Sequence, residues 1–184
     1  MRRSITLILV AIAASLLLAS PVLAEERTCR GKIGAVTVDN LRVPQGATCT
    51  LSGTRVESTI KVEHDATLKA SRVRVIGNVQ AENDRSVTLV DSIVGGSVQL
   101  KQGGSASVTS NRITGDLQFD SNSGRIAAKG NATGGSLQVF SNTGGIAISS
   151  NRIDGNLQCK SNQPLPTGGG NVVQGNKEDQ CARL

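Results

Sequence analysis

A four-residue phrase recurs five times between residues 77 and 158, and it constrains the fold more than any other feature of the sequence. Each copy reads Gly, a polar or acidic residue, Val or Leu, and then Gln. The steps between successive glutamines are 19, 19, 20 and 20 residues, and the glutamines are Gln80, Gln99, Gln118, Gln138 and Gln158. A period this regular predicts a solenoid with one repeat per coil.

Apolar residues flank each glutamine in strict alternation, which indicates a strand with the glutamine pointing outward. Two further apolar positions recur in every repeat, for example Val87 with Leu89 and then Val94. Each coil therefore holds up to three short strands, and identical columns at a fixed period imply parallel, in-register stacking. The sequence predicts an all-β, single-stranded parallel β-helix of about seven coils, right-handed as parallel crossovers are.

Polar residues at the bends form columns of their own. The asparagines recur at intervals of 20 residues, as Asn111, Asn131, Asn151 and Asn171 in one column and Asn122, Asn142 and Asn162 in another. We interpret these asparagines as structural, because Asn tolerates left-handed backbone at a bend and its amide can bond to the next coil. The glycines before the strands are expected to supply positive φ at corners.

Residues 1–24 carry the features of a secretory signal peptide. Two arginines precede an apolar run over residues 5–18, and Val22 and Ala24 occupy the recognised positions of a cleavage pattern. The apolar run is too short for a membrane span. The sequence therefore predicts cleavage after Ala24, export to the periplasm or cell exterior, and one β-helix domain over residues 25–184 without stable membrane insertion.

The four cysteines, Cys29, Cys49, Cys159 and Cys181, allow three disulfide connectivities. Local pairing joins Cys29 to Cys49 and Cys159 to Cys181, with separations close to one coil, so partners lie on adjacent turns. The other two pairings require the ends of a stiff rod to meet. Local pairing is therefore the prediction, with one disulfide pinning a cap at each end of the rod.

The composition restricts the partners of this chain. The formal net charge is +6, but basic and acidic residues are interspersed along the sequence, which indicates a solvated surface rather than a nucleic-acid stripe. The chain has no Trp or Tyr and only two Phe residues, so aromatic platforms for sugars or bases are absent. We expect no nucleic-acid partner, no cofactor, no bound metal and a monomeric protein.

The C-terminal motifs carry a resemblance to a known group. They are similar to the ends of uncharacterised small secreted bacterial proteins, in Gly155-Asn156-Leu157-Gln158-Cys159, Gly168-Gly169-Gly170-Asn171 and Gly175-Asn176-Lys177-Glu178-Asp179-Gln180-Cys181. This resemblance implies an exported bacterial protein and no particular activity. In architecture alone, the chain resembles bactofilins and the pectin-lyase-like β-helices, and the latter imply the carbohydrate-active alternative below.

Two hypotheses for function remain open. The five glutamines form a flat polar face that meets a cell-wall polymer or another surface protein, or they form an amide ladder that only stabilises the sheet. Alternatively, the chain is a polysaccharide lyase-like enzyme. In that case Asp116 and Asp120, which flank Gln118, form an acid pair, and Lys101 is the nearby base. A structural or interaction protein is the prediction, and we interpret His64 as an exposed turn residue.

Overall fold

The computed structural model describes residues 25–184. The predicted signal peptide, residues 1–24, lies outside the described residues, so its cleavage stays a prediction. The described chain consists of short β-strands joined by bends, and no helix occurs among these residues. It follows that residues 25–184 contain no helix long and apolar enough to cross a membrane.

The strands are two to five residues long and follow one another in a fixed rhythm. The first half contains β1 (Glu26–Thr28), β2 (Gly31–Ile33), β3 (Thr37–Val38), β4 (Asn40–Val43), β5 (Thr48–Ser52), β6 (Arg55–Val56), β7 (Ile60–Val62), β8 (Thr67–Ser71), β9 (Arg74–Val75), β10 (Val79–Glu82), β11 (Ser86–Val90) and β12 (Ile93–Val94). The second half contains β13 (Val98–Lys101), β14 (Ser105–Thr109), β15 (Arg112–Ile113), β16 (Leu117–Asp120), β17 (Ile126–Lys129), β18 (Ala132–Thr133), β19 (Leu137–Phe140), β20 (Ile146–Ser149), β21 (Arg152–Ile153), β22 (Leu157–Lys160), β23 (Thr167–Gly169), β24 (Val172–Val173) and β25 (Lys177–Asp179).

Consecutive strands join three different sheets, and every strand pairs in parallel with the strand three places along the chain. Each sheet contains every third strand of the chain. Sheet A runs in this way from β1 to β25, sheet B from β2 to β23 and sheet C from β3 to β24. The register pairs Gln80 with Gln99, Gln99 with Gln118, and so on along the column. The predicted parallel β-helix is confirmed, and its right-handed sense stays a prediction.

One apolar core runs the length of the stack. The residue before each repeated glutamine is fully buried, with 0% exposure at Val79, Val98, Leu117, Leu137 and Leu157. The inward residues of sheets B and C complete this core, and Phe119 is its largest fully buried side chain. Because a single coil is too thin to bury its own apolar face, stacking supplies the stability that no coil has alone.

The solenoid has about eight turns, one more than the seven expected from the repeat. Strands β1, β2 and β3 form a complete first turn, and this turn accounts for the additional coil. This turn pairs fully with the next one, Arg27 with Leu41 and Lys32 with Thr50. Its side chains are mostly exposed because no further turn covers it within residues 25–184, which agrees with the weak repeat pattern there.

The glycines that open the repeated phrase have a different role from the one expected. Gly96, Gly115 and Gly135 do not have positive φ, so backbone freedom does not explain them. Instead, a Cβ atom added at Gly96 would collide with the Asn78 side chain on the preceding turn, and one at Gly135 would collide with the Asp116 side chain. Glycine is needed because neighbouring turns approach closely at this corner.

The asparagine columns are structural, as predicted, but the bends are made by their neighbours. The left-handed residue is the one before the asparagine, for example Ser110 with φ 58° and Ser141 with φ 56°. The asparagine side chains are buried and carry the hydrogen bonds of the corner. Asn142 Nδ2 donates to Asn162 Oδ1 at 3.0 Å and to the Phe119 carbonyl at 3.0 Å. Asn142 therefore ties its turn to the turns on both sides, and Asn171 at the end of its column bonds to the preceding turn.

Both predicted disulfides are present. Cys29 pairs with Cys49 across 20 residues, with 5.5 Å between the Cα atoms, and Cys159 pairs with Cys181 across 22 residues at 5.2 Å. Each bridge joins neighbouring turns at one end of the rod. Their sulfur atoms are buried, and they are compatible with an oxidising extracellular environment.

Thr133→Val is expected to stabilise the protein. Thr133 is 2% exposed, and its Oγ1 lacks a hydrogen-bond partner among the described residues, in a column whose neighbours are Ile113 and Ile153. Removing an unpaired buried hydroxyl without changing the side-chain shape should raise the free energy of unfolding by about 1–2 kcal/mol. Urea denaturation measures this difference.

Thr54→Val is the matched control for that variant. Thr54 is equally buried, but its Oγ1 donates to the Gly34 carbonyl at 2.7 Å. The same substitution there should lower the free energy of unfolding by about 1 kcal/mol or more, because the carbonyl loses its donor. Equal changes in the two variants would contradict the proposed difference between a paired and an unpaired hydroxyl.

Candidate functional site

The five repeated glutamines lie side by side on the outer face of sheet A and form a continuous amide ladder. Each Nε2 donates to the Oε1 of the next glutamine, and the four distances from Gln80 through to Gln158 are 3.1, 3.1, 2.9 and 3.0 Å. We call this column the glutamine face. The in-register pairing of sheet A places these side chains opposite one another, so the ladder follows directly from the repeat.

The glutamine face ends on charged residues of complementary sign. Gln158 Nε2 donates to Glu178 Oε2 at 2.7 Å, and Lys61 precedes Gln80 in the same column. All the amides point their N–H groups toward Glu178, so their dipoles add along the rod. A carboxylate at the N–H end and an ammonium near the carbonyl end both favour that alignment.

The ladder uses half of the hydrogen-bonding capacity of each interior amide. A glutamine side chain has two N–H donors and two carbonyl lone pairs. Within the ladder, Gln118 uses one donor toward Gln138 and one acceptor toward Gln99. One donor and one acceptor per glutamine remain for another partner, and they repeat at the spacing of the turns, about 4.8 Å.

A shallow trough opens at the N-terminal part of the glutamine face. It has a volume of about 210 Å³ and is lined by Lys61, Gln80, Glu82, Gln99 and Lys101 with the edges of two apolar residues. Gln80 is exposed, whereas the later glutamines are half-buried. The trough therefore offers amide groups together with charges of both signs, which suits a polar ligand.

Asp116 lies at a corner of the solenoid and takes part in the packing of turns. Its Oδ1 accepts a hydrogen bond from the Ser136 backbone N–H at 2.7 Å. The same contact recurs on other turns, where Asn78 Oδ1 accepts from Ser97 N at 2.8 Å. Asp116 therefore occupies a position at which several residue types supply an acceptor to the next turn.

Asp120 and Lys101 are paired in register on adjacent strands of sheet A. The Asp120 carboxylate accepts a hydrogen bond from Ser121 Oγ at 2.8 Å. Within residues 25–184, no Asp120 carboxylate oxygen lies within 4.0 Å of the Lys101 ammonium. With Glu82, these residues form a column of alternating charge on the outer face, which favours the stacking of turns.

His64 is exposed on a bend, as the sequence suggested, with Nδ1 at 3.5 Å from Gln45 Nε2. Its neighbour Asp65 forms a two-point contact with the Arg85 guanidinium, at 2.9 and 2.8 Å. The hydrogen bond from Arg85 lowers the pKa of Asp65. Asp65 therefore belongs to an ion pair with Arg85 that links neighbouring turns.

Asp84 is the one buried carboxylate that sequence reasoning missed within residues 25–184. It is 6% exposed, and its Oδ1 has no hydrogen-bond partner among the described residues. Burial raises the pKa of Asp84 to about 6, while a hydrogen bond from its own backbone acts in the opposite direction. Its carboxyl group fills the space next to Gly103, which has no side chain. The sequence contains a signal for this position, because Asp84 and Gly103 lie 38 and 19 residues before Asn122 and therefore continue its column.

Comparison with known protein families, characterised proteins and solved structures finds no match to this chain. The structure itself defines the class of protein, a disulfide-capped parallel β-solenoid with a glutamine ladder on one face. No cluster of side chains suited to a metal ion occurs within residues 25–184.

Proposed function

We propose that this chain is an exported, non-enzymatic structural or interaction protein of the bacterial cell exterior. In this proposal the glutamine face contacts a cell-wall polymer or another surface protein. The observation that carries the proposal is the unused donor and acceptor on each glutamine of the ladder, for example Gln118, repeated along the rod. A polymer with a repeating hydrogen-bonding unit can use such an array at many positions at once.

Two further observations support an extracellular role. The two disulfides at the ends of the rod suit an oxidising compartment. The likeness of the C-terminal motifs to small secreted bacterial proteins agrees with export and with the predicted signal peptide. The chain also resembles bactofilins and pectin-lyase-like β-helices in architecture. For this reason the experiment also tests the alternative of a carbohydrate-active enzyme.

The proposal predicts weak retention of the exported protein on isolated cell-wall glycans without any cleavage of them. Replacing Gln99, Gln118 and Gln138 with Ser should reduce the retained fraction severalfold, because the shortened side chains cannot reach a ligand. Circular dichroism should show that the β-helix remains. Co-sedimentation and reducing-end assays measure retention and cleavage.

A matched control changes the same three turns on another face. Ser107→Ala, Ala127→Ser and Ala147→Ser alter outward positions of sheet B and should leave retention unchanged. Equal loss in the two triple variants would count against the glutamine face. Glycan cleavage that disappears in Asp116→Asn would replace the proposal with the enzyme alternative.

A further inference from the structure

The outer face of sheet C carries a column of arginines that is separate from the glutamine face. Each strand of this sheet has one inward and one outward residue, and the outward residues pair in register from turn to turn. We call four of these outward residues the arginine column: Arg55, Arg74, Arg112 and Arg152. The outward residues between them are Ile93 and Ala132.

The arginine column differs from the charged column of sheet A in its balance of signs. On sheet A, Glu82, Lys101 and Asp120 alternate in sign, so neighbouring turns attract one another. The strands of sheet C contain no acidic residue at all. Like charges on adjacent turns, as at Arg55 and Arg74, disfavour folding slightly, so attraction along the column does not account for the arginines.

Two of the four guanidinium groups make no direct ion pair with a carboxylate among the described residues. Arg55 contacts Glu57 at 2.6 Å, and Arg152 lies 3.8 Å from Asp154. Among the residues that the structure describes, Arg74 and Arg112 have no carboxylate oxygen within 4.0 Å, and both side chains are exposed. Both guanidinium groups are therefore open to contact with an external anion, although the charge of Glu57 also acts on Arg74.

The spacing of the column is regular over its C-terminal part. Arg74, Arg112 and Arg152 occupy every second turn, so they repeat at intervals of about 10 Å for turns about 4.8 Å apart. Between Arg112 and Arg152 the small residues Ala132 and Gly134 leave a groove of about 290 Å³. Thr114 and Asp154 also line this groove, so a hydroxyl and one carboxylate accompany the two arginines.

From these observations we infer that the arginine column binds an acidic polysaccharide with one anionic group per disaccharide. Two linked pyranose rings extend over about the same length as two turns of the solenoid, so successive anionic groups meet successive arginines. The guanidinium fork suits carboxylate and sulfate groups. A nucleic acid is less suited, since the face has no aromatic side chain on which bases stack.

Binding to hyaluronan tests the inference, because this polymer has one carboxylate per disaccharide. The protein without its signal peptide is titrated at low and moderate salt by fluorescence anisotropy of labelled hyaluronan. Replacing Arg74, Arg112 and Arg152 with Gln should weaken binding about tenfold, as expected for three exposed ion pairs together, and should reduce its salt dependence.

A control variant removes the same charge from another face. Lys69→Gln, Arg125→Gln and Lys129→Gln act on sheet B or its edge and should leave hyaluronan binding within about twofold if long-range attraction is screened by salt. Equal weakening in both triple variants would show that net charge alone drives binding and would overturn the inference. Absence of hyaluronan binding at low salt, or tighter binding to single-stranded poly-dT, would overturn it as well.

The test is independent of the proposed function. The variant with Ser at Gln99, Gln118 and Gln138 should bind hyaluronan like the parent protein, because those glutamines lie on sheet A. If the glutamine variant lost retention on wall glycans but still bound hyaluronan, the result would support the glutamine face and would be consistent with the arginine column. Loss of hyaluronan binding in the glutamine variant would overturn the assignment of the acidic polymer to sheet C.

Discussion

Leu117→Asp is expected to abolish the folded state of the solenoid. Leu117 has 0% exposure and stacks in register between Val98 and Leu137 within the shared core. A carboxylate there would be buried without a partner, and the lost packing adds to the cost. The combined loss should exceed about 5 kcal/mol, which is comparable to the whole stability of a small domain. Circular dichroism should show loss of the β-sheet signal.

Gln118→Asp is the control for that experiment, one residue further along the same strand. Gln118 points outward and is half-buried, so an aspartate at this position stays in contact with water. It interrupts the amide ladder between Gln99 and Gln138, and the protein should remain folded with a loss of about 1 kcal/mol. If Gln118→Asp unfolded the protein while Leu117→Asp kept the melting temperature of the parent, the register would be wrong by one residue.

Asp84→Asn is expected to stabilise the protein at neutral pH and to remove a pH dependence. Burial raises the pKa of Asp84 to about 6 in the folded protein, whereas an unfolded chain has the ordinary value of 3.8. The neutral amide avoids the cost of burying a charge. A pKa difference of about two units corresponds to a gain of about 2–3 kcal/mol in the free energy of unfolding at pH 7.

The sign of the pH effect follows from proton binding. Because the folded state binds the Asp84 proton more tightly than the unfolded state, the contribution of this group to stability is fully present below about pH 4. It is lost as the pH rises toward about 6. The difference in unfolding free energy between Asp84→Asn and the parent should therefore grow between pH 4 and pH 7. Urea denaturation across this range measures it, and a constant difference would contradict a buried, proton-binding carboxyl group.

Asp91→Asn provides the matched comparison for the pH experiment. Asp91 lies on a bend of the same coil as Asp84 but is exposed. Removing its charge should leave the shape of the pH profile like that of the parent protein. A similar change in both variants would indicate a general effect of net charge rather than the burial of one carboxyl group.

Much of this architecture follows from the sequence by itself. Residues 19 or 20 positions apart become neighbours in a parallel stack, so the sequence period translates directly into contacts. This is why the columns through Gln118 and Leu117, the inward position of Val94 and the two local disulfides could all be predicted. The same logic covers the asparagine columns, since a ladder of identical amides needs only a constant step.

Only the tertiary structure decided how each position is used. The distance between turns, not φ, requires glycine at Gly96 and Gly135, and a space beside Gly103 holds the Asp84 carboxyl group. The complete first turn emerged from backbone pairing, which does not depend on a strong side-chain pattern.

The arginine column shows the same division between sequence and structure. Arg74, Arg112 and Arg152 are interspersed with acidic residues along the sequence, and strands of two residues carry no periodicity of their own. Coiling brings the arginines together on one face, while the acidic residues go to sheet A and to the bends. Sequence order therefore determines which residues stack, whereas the path of the coil decides which charges share a surface.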